Sequence, residues 1–182
     1  MTAIDVLKSR NETFAREFAQ GDMPPLPKLG TLILTCIDAR VDPAHVLGVE
    51  LGDAVVFRNN GGRVTHAFLE EVATLSMMVA RLTGAEEASF NIVLMQHTKC
   101  GAQAFADPAF QELVQARTGI DVSGSAVVDH PTDLQTDINR LRDTAHLPGG
   151  ITVAAMVYDV ETGKVEQLAP AMSLADLRAS EA

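Results

Sequence analysis

Apolar residues along this chain fall into two kinds of pattern, short continuous runs and helical spacings. The segments 31–35, 54–57 and 92–95 are almost entirely apolar, which is typical of parallel strands buried on both faces. Between the last two segments, apolar residues recur at steps of four, three, four and three, which predicts a long amphipathic helix closed by Gly84. Its stripe comprises Phe68, Val72, Leu75, Val79 and Leu82.

The second half of the chain continues this alternation of helices and strands. Asp107 followed by Pro108 is typical of a helix N-terminus, and a further helix is predicted over about 131–146. A strand over 151–160 and an edge strand over 165–168 follow. We therefore predict an α/β fold with a mostly parallel central sheet, flanking helices and an antiparallel edge strand. The two helical stripes comprise Phe110, Leu113 and Val114, then Leu134, Ile138, Leu141 and Ala145.

The first 27 residues predict an N-terminal helical arm. Residues 3–20 place four large apolar side chains on one helix face, and three prolines between positions 24 and 27 form a hinge. Such an arm can fold back on its own domain or lie on a neighbour. With no internal repeat or long linker, we expect one domain over 1–182, of which 1–27 is the arm and its hinge. The apolar face comprises Ile4, Leu7, Phe14 and Phe18.

Charge and hydropathy narrow the range of partners. The formal net charge is −10, and no basic stripe could follow a phosphate backbone, so neither nucleic acid nor an anionic membrane is an expected partner. No apolar stretch is long enough to span a bilayer, and Asp5, Lys8 and Arg10 interrupt the region where a signal peptide would be apolar. We expect a soluble, cytoplasmic protein.

The only two cysteines, Cys36 and Cys100, carry the candidate chemistry, together with His97 three residues before the second. In a reducing compartment both thiols are available to a metal. Two thiolates and one imidazole suit Zn²⁺ and leave one tetrahedral position open, which is typical of catalytic zinc. The alternatives are that the cysteines are simply buried small residues or form a disulfide.

The predicted fold brings these residues to one place. Cys36 ends the first predicted strand, and His97 ends the third. In open α/β sheets, ligands bind beyond the carboxyl ends of the strands, where the strand order reverses. The sequence therefore predicts a metal site at this edge of the sheet.

The segments Cys36-Ile37-Asp38-Ala39-Arg40 and His97-Thr98-Lys99-Cys100-Gly101 resemble the two motifs of the β-class carbonic anhydrases. The resemblance implies Zn²⁺ held by Cys36, His97 and Cys100. It also implies that Asp38 and Arg40 form a catalytic dyad that orients a zinc-bound hydroxide. In some members of that family the aspartate instead binds the zinc, and both states are open here. We expect the backbone amide of Gly101 to face the substrate.

The function implied by this resemblance is zinc-dependent, reversible hydration of CO₂ to bicarbonate and a proton, which is carbonate dehydratase activity. One alternative is a carbonyl sulfide or carbon disulfide hydrolase that uses the same site and releases H₂S. Another is a zinc or redox module without catalytic activity, which the intact dyad disfavours. By analogy with the family, the arm implies a homodimer or homotetramer.

The sequence also departs from the common family pattern. Ala39 stands where serine is usual, and the chain has no tryptophan, which speaks against the subclass with a tryptophan-containing allosteric bicarbonate site. The segment 58–62 resembles a stretch that borders the active site, but it equally suits a simple turn. A proton shuttle among the other histidines is left open; these are His45, His66, His130 and His146. Candidates for an apolar lining, for which core packing is the simpler expectation, are Leu47, Val64, Phe68 and Met95.

Overall fold

A computed structural model describes residues 1–180 and shows one central sheet of five strands. The strand order is β2-β1-β3-β4-β5; the first four strands are parallel, and β5 is antiparallel to β4. This arrangement confirms the predicted fold class. The strands are β1 (Thr31–Cys36), β2 (Ala54–Asn59), β3 (Asn91–His97), β4 (Thr152–Tyr158) and β5 (Val165–Ser173).

Six α-helices and three short 3₁₀ turns connect and flank the strands in the described chain. The 3₁₀ turns cover Asn60–Gly62, Gly101–Ala106 and Ser123–Ser125. The α-helices are α1 (Ala3–Glu17), α2 (Pro43–Val46), α3 (His66–Thr83), α4 (Pro108–Thr118), α5 (His130–Asp143) and α6 (Leu174–Ala179).

The main core lies between one face of the sheet and the helices α3, α5 and α6. Strand residues Leu34, Ile92 and Leu94 are completely buried there, against Phe68 of α3 and Leu141 of α5. On the opposite face, Ile33 of β1 and Met95 of β3 are buried as well, which accounts for the continuous apolar runs of these two strands.

Local signals fix most of the helix ends. The side chain of Thr65 accepts a hydrogen bond from the backbone of Phe68 at the start of α3, and Gly84 ends that helix in the left-handed conformation. Asp107 caps α4, with Pro108 as the first helical residue, as predicted.

Several predicted boundaries are wrong. Helix α5 ends at Asp143, so Ala145 lies outside it; the Thr144 hydroxyl bonds back to the carbonyl of Arg140, and Thr144 adopts an extended backbone conformation. Helix α1 ends at Glu17 instead of residue 20. Strand β5 extends to Ser173 instead of 168, and the short helices α2 and α6 were not predicted.

The N-terminal helix α1 forms with a capping box but buries none of its residues. Its predicted apolar face is exposed, with exposed fractions of 63% for Ile4, 58% for Leu7, 55% for Phe14 and 43% for Phe18. The helical arm is therefore present as predicted, while its role and the division of the chain at residue 27 stay predictions. Among residues 1–180, no helix is both long and apolar enough to cross a lipid bilayer.

Candidate metal centre

The three predicted ligands come together at the carboxyl ends of β1 and β3. The chain passes from β1 to β2 on one side and returns to β3 on the other, so the strand order reverses between β1 and β3. Cys36 and His97 are the last residues of these two strands. One ligand atom from each of Cys36, His97 and Cys100 lies within 4.8 Å of the others, and all three residues are buried.

A tight turn brings Cys100 back toward the strand that ends at His97. The backbone N–H of Thr98 donates to the carbonyl of Tyr158, and the Thr98 hydroxyl accepts from the N–H of Val160. Lys99 then adopts φ of +53°, and it is the one non-glycine residue with positive φ in the described chain. This uncommon conformation reverses the chain so that Cys100 points back at the site.

The surroundings of His97 fix which nitrogen can bind a metal. Nδ1 lies 2.9 Å from the carbonyl oxygen of Thr98, so Nδ1 carries the proton and donates it. Nε2 therefore has a free lone pair, and within residues 1–180 this buried atom has no hydrogen-bond partner. An unpartnered buried ring nitrogen is costly unless a ligand occupies it. A metal ion at Nε2 would satisfy it.

The two thiols form a pair whose spacing fits zinc. Their Sγ atoms are 3.8 Å apart. The hydrogen bond between them lowers the pKa of Cys36 and raises the pKa of Cys100. Two thiolates bound tetrahedrally to Zn²⁺ at about 2.3 Å would lie about 3.8 Å apart. The donor set and its spacing therefore fit a zinc ion.

Asp38 and Arg40 form an ion pair in the structure, and their catalytic role stays a prediction. Both carboxylate oxygens accept from the guanidinium, at 2.9 Å from Nε and 2.7 Å from Nη2, and the Arg40 backbone N–H also donates to Oδ1. Arg40 Nη2 in turn donates to the carbonyl of Lys99. These bonds from Arg40 hold the pKa of the Asp38 carboxyl well below its usual range. Asp38 Oδ2 lies 3.9 Å from Nε2 of His97, beside the metal position.

Arg58 holds the loop that joins the first ligand to the dyad. Its Nε donates to the carbonyl of Cys36 at 3.0 Å and its Nη2 to the carbonyl of Asp38 at 2.8 Å. Asp42 lies 3.4 Å from Nη1. From the sequence alone, the segment 58–62 suits a simple turn as well as a stretch that borders the active site, because no local pattern shows which carbonyls Arg58 reaches.

Two glycines allow the turn after β2 to pack closely against its neighbours. Gly62 lies against the backbone of Thr35 and Cys36, and Gly61 lies against Val127. Gly62 has φ of +63°, and a Cβ there would lie 2.9 Å from the backbone N of Cys36 and from the backbone C of Thr35. Gly61 has φ of +77°, and a Cβ there would lie 2.9 Å from the side chain of Val127. Both positions therefore require glycine, for conformation and for space.

A buried ion-pair network ties the same turn to α5. Arg63 is 3% exposed; its Nε donates to Asp137 at 2.7 Å, its Nη1 lies 3.1 Å from Asp133, and it also reaches the carbonyl of Ala126. Asp137 is completely buried and also accepts from Arg140. The sequence contained no signal for this network, because Arg63 and Asp137 are 74 residues apart.

A small apolar cluster surrounds the two sulfur atoms. Ala102 and Val127 are buried against Cys36 and Cys100, and Phe105 packs on them from outside. The sequence alone does not predict that these three residues lie beside the site. Of the predicted lining candidates, Val64 and Phe68 belong to the main core, Met95 is fully buried, and Leu47 is partly buried.

The remaining predicted residues differ in their surroundings. Gly101 begins the 3₁₀ turn directly after Cys100 and is exposed, so its predicted role beside the substrate stays a prediction. His45, His66 and His146 are exposed; His45 lies near the carboxylate of Asp42 just before α2, and His66 lies near Glu70 on α3. His130 is half-buried beside Gln96, at 2.8 Å, and burial lowers its pKa.

Comparisons with known proteins agree with this geometry. The family model described as carbonic anhydrase matches residues 31–123. β-Carbonic anhydrase 1 of Mycobacterium tuberculosis is 31% identical over 172 residues, which cover 93% of this chain and all of that protein. A carbon disulfide hydrolase of Saccharolobus solfataricus is 24% identical, over 74% of this chain and 75% of its own. The crystal structure of a carbonic anhydrase from Streptococcus mutans superposes with a TM-score of 0.73 at 29% identity, over 92% of this chain and 98% of that one.

Proposed function

We propose, since this chain belongs to the β-carbonic anhydrase family, that it catalyses the reversible hydration of CO₂ to bicarbonate and a proton. The observation that carries the proposal is the joint geometry of the three ligand atoms, within 4.8 Å of one another, and a carboxylate 3.9 Å from Nε2 of His97. A site built only for stability would not need an acidic side chain held by arginine beside it.

Cys36, His97 and Cys100 would hold one Zn²⁺ through two sulfur atoms and Nε2. A zinc ion bound there supplies Lewis acidity, which makes a hydroxide nucleophile available near neutral pH. The protein fixes the donors in advance: the carbonyl of Thr98 selects the His97 tautomer. Backbone N–H groups of Asp38 and Gly61 also help to lower the pKa of Cys36.

The dyad orients the attacking oxygen. Asp38 has both oxygens on the Arg40 guanidinium and stays ionised at neutral pH, because those hydrogen bonds lower its pKa. An ionised carboxylate can only accept hydrogen bonds, so Asp38 accepts a hydrogen bond from the attacking oxygen and directs a lone pair of that oxygen toward the carbon of CO₂. Fixing that direction reduces the entropy lost on reaching the transition state.

The substrate fits the apolar surroundings. CO₂ is small, linear and without net charge, and Ala102, Val127 and Phe105 provide an apolar wall beside the sulfur atoms. Bicarbonate is charged, so bulk water solvates the product better than the apolar wall does. This difference favours release of the product.

Stopped-flow CO₂ hydration by the zinc-loaded protein tests the proposal. We expect turnover well above the buffer rate and its loss on chelation of the metal, with recovery when Zn²⁺ is returned. A fully zinc-loaded, folded protein that does not accelerate CO₂ hydration would contradict it.

Carbonyl sulfide or carbon disulfide hydrolysis is the second candidate, and the similarity to a carbon disulfide hydrolase supports it. The same residues could direct a nucleophile at any small, linear, apolar carbon centre. Assays of H₂S release with carbonyl sulfide and with carbon disulfide, run beside the CO₂ assay, separate the two. Hydrolysis of either substrate with negligible CO₂ hydration would favour the second candidate.

We also propose that the protein acts as a homodimer or homotetramer in the cytoplasm. The exposed apolar face of α1 supports self-association, since such a face is costly in water. The cytoplasm is supported by the two ligand thiols, which must stay reduced to bind zinc.

A further inference from the structure

Arg58 lies outside the proposed ligands and dyad, yet it binds the chain on both sides of Ile37. Its guanidinium donates to the carbonyl oxygens of Cys36 and Asp38, at 3.0 and 2.8 Å. It projects from β2, whose residue Asn59 is paired with Cys36 in the sheet. The arginine therefore connects the segment between the first ligand and the dyad to a fixed strand.

The position of Asp38 depends on this segment. Asp38 follows the end of β1 by two residues, outside the pairing of the sheet, and its neighbours Ile37 and Ala39 are exposed. Its carboxylate has two alternative positive partners: the guanidinium of Arg40, which it binds at 2.7 Å, and a metal ion that His97 would hold through Nε2, the atom that lies 3.9 Å from Asp38 Oδ2. Which partner the carboxylate meets therefore depends on where the backbone of this segment places Asp38.

We propose that Arg58 is a positioning residue that keeps Asp38 on Arg40 and off the metal, so that the fourth metal position stays open. This inference rests on the proposed function. Arg58 binds the backbone carbonyl of Asp38 and not its side chain. The arginine therefore restricts the positions that the Asp38 carboxylate can reach, without itself competing with Arg40 or the metal for that carboxylate. Asp42, at 3.4 Å from Nη1, holds the guanidinium in turn.

The shape of the arginine side chain matters for this role. The two carbonyls are bound by different nitrogens of one rigid plane, which a lysine cannot reproduce because its ammonium is a single point donor. A lysine at position 58 can keep one of the two bonds, and glutamine is too short to keep both.

The test compares Arg58→Lys and Arg58→Gln with Arg178→Gln. Arg178 is a matched control, because its guanidinium also donates to backbone carbonyls, those of Arg142, Thr144 and Leu147, but on α6. Each variant is examined for zinc content, for kcat and KM with CO₂, and, after cobalt(II) loading, for azide binding by visible spectroscopy. Azide reports whether the fourth metal position is open.

We expect all variants to bind a full complement of zinc. In Arg58→Gln, kcat should fall about tenfold to a hundredfold, with KM little changed, because misplaced catalytic groups slow the chemical step. If Asp38 fills the fourth metal position in about nine of every ten molecules, the apparent azide affinity falls about tenfold. Arg58→Lys should be intermediate, and Arg178→Gln should lower the melting temperature while its kcat and azide affinity stay at wild-type values.

A second variant separates positioning from general disorder. Asp38→Asn added to Arg58→Gln should restore azide binding, since a neutral amide does not compete for the metal, while kcat stays low. Wild-type kcat and azide affinity in Arg58→Gln would overturn the inference, as would a loss of kcat in proportion to lost zinc. If the wild type lacks CO₂ hydration, the proposed function fails, but the azide titrations still decide the role of Arg58.

Discussion

At the scale of single residues, His97 is the proposed ligand whose role the structure restricts most. Its Nδ1–H donates to the Thr98 carbonyl, and its Nε2 is buried without a hydrogen-bond partner in the described chain. The two sulfur atoms lie at the separation that tetrahedral zinc requires. The three side chains therefore present their donor atoms in an arrangement that suits tetrahedral zinc.

Removing one donor should remove most of the zinc. We expect Cys100→Ser and His97→Gln to be purified with little metal, because each loses one of three protein bonds and serine is a poor ligand for zinc at neutral pH. His66→Gln, at an exposed histidine, is the matched control and should keep its zinc. Metal analysis of the purified proteins makes the comparison, and full zinc content in Cys100→Ser would disprove the ligand assignment.

Arg40→Ala should separate metal binding from catalysis. The variant keeps all three ligands but loses the two side-chain hydrogen bonds that hold the Asp38 carboxylate. We expect normal zinc content and a kcat/KM for CO₂ about a hundredfold lower, the size of effect seen when a group is displaced from its working position. Arg117→Ala on α4 serves as the control. Wild-type kinetics in Arg40→Ala would show that the dyad has no part in turnover.

At the scale of elements, the turn after β2 leaves little room for substitution. Gly62 has a positive φ, and a Cβ there would lie 2.9 Å from the backbone N of Cys36, while Gly84 has a positive φ at the end of α3 and open space around it. Alanine substitutions at Gly84 and Gly62 therefore separate the free-energy cost of backbone strain from the cost of steric crowding.

We expect Gly84→Ala to destabilise the protein by about 1 kcal/mol through backbone strain alone. Gly62→Ala should cost about 3 kcal/mol, because overpacking adds to the same strain. It should also weaken zinc binding, since Cys36 must move away from the added methyl group. Thermal unfolding and zinc titration of both variants test this, and equal effects at the two positions would show that Gly62 is not crowded.

The sequence predicted the elements whose signals are local. The buried runs that end at Cys36 and His97 were found because covered parallel strands are apolar throughout, and strand ends place side chains at the switch point. The contacts of Arg58 and Arg63 could not be predicted, because their partners lie 16–74 residues away and no local pattern encodes them. The short helix α6 was missed because it has only six residues and buries only Leu174.

At the scale of the whole molecule, contacts within a single chain do not account for the exposed apolar face of the N-terminal arm. The rings of Phe14, on α1, and of Phe18, directly after α1, are 5.4 Å apart and exposed, and α1 buries none of its residues. Such a face can be covered by a second copy of the chain, which the proposed dimer or tetramer would provide.

Phe14→Ser combined with Phe18→Ser should therefore weaken self-association. Burying each ring at an interface contributes about 2 kcal/mol, so the double variant should dissociate at protein concentrations where the wild type stays assembled. Lys8→Ser in the same helix is the control. Light scattering over a dilution series gives the mass, and an unchanged assembly in the double variant would exclude this face from the interface.

The decisive measurement is steady-state kinetics of the zinc-loaded protein with CO₂ and with carbonyl sulfide, over a range of pH. For a carbonic anhydrase, we expect CO₂ hydration to exceed carbonyl sulfide hydrolysis and to rise with pH as the nucleophile loses its proton. Rapid release of H₂S from carbonyl sulfide, with CO₂ hydration no faster than in buffer at every pH, would contradict the proposed function.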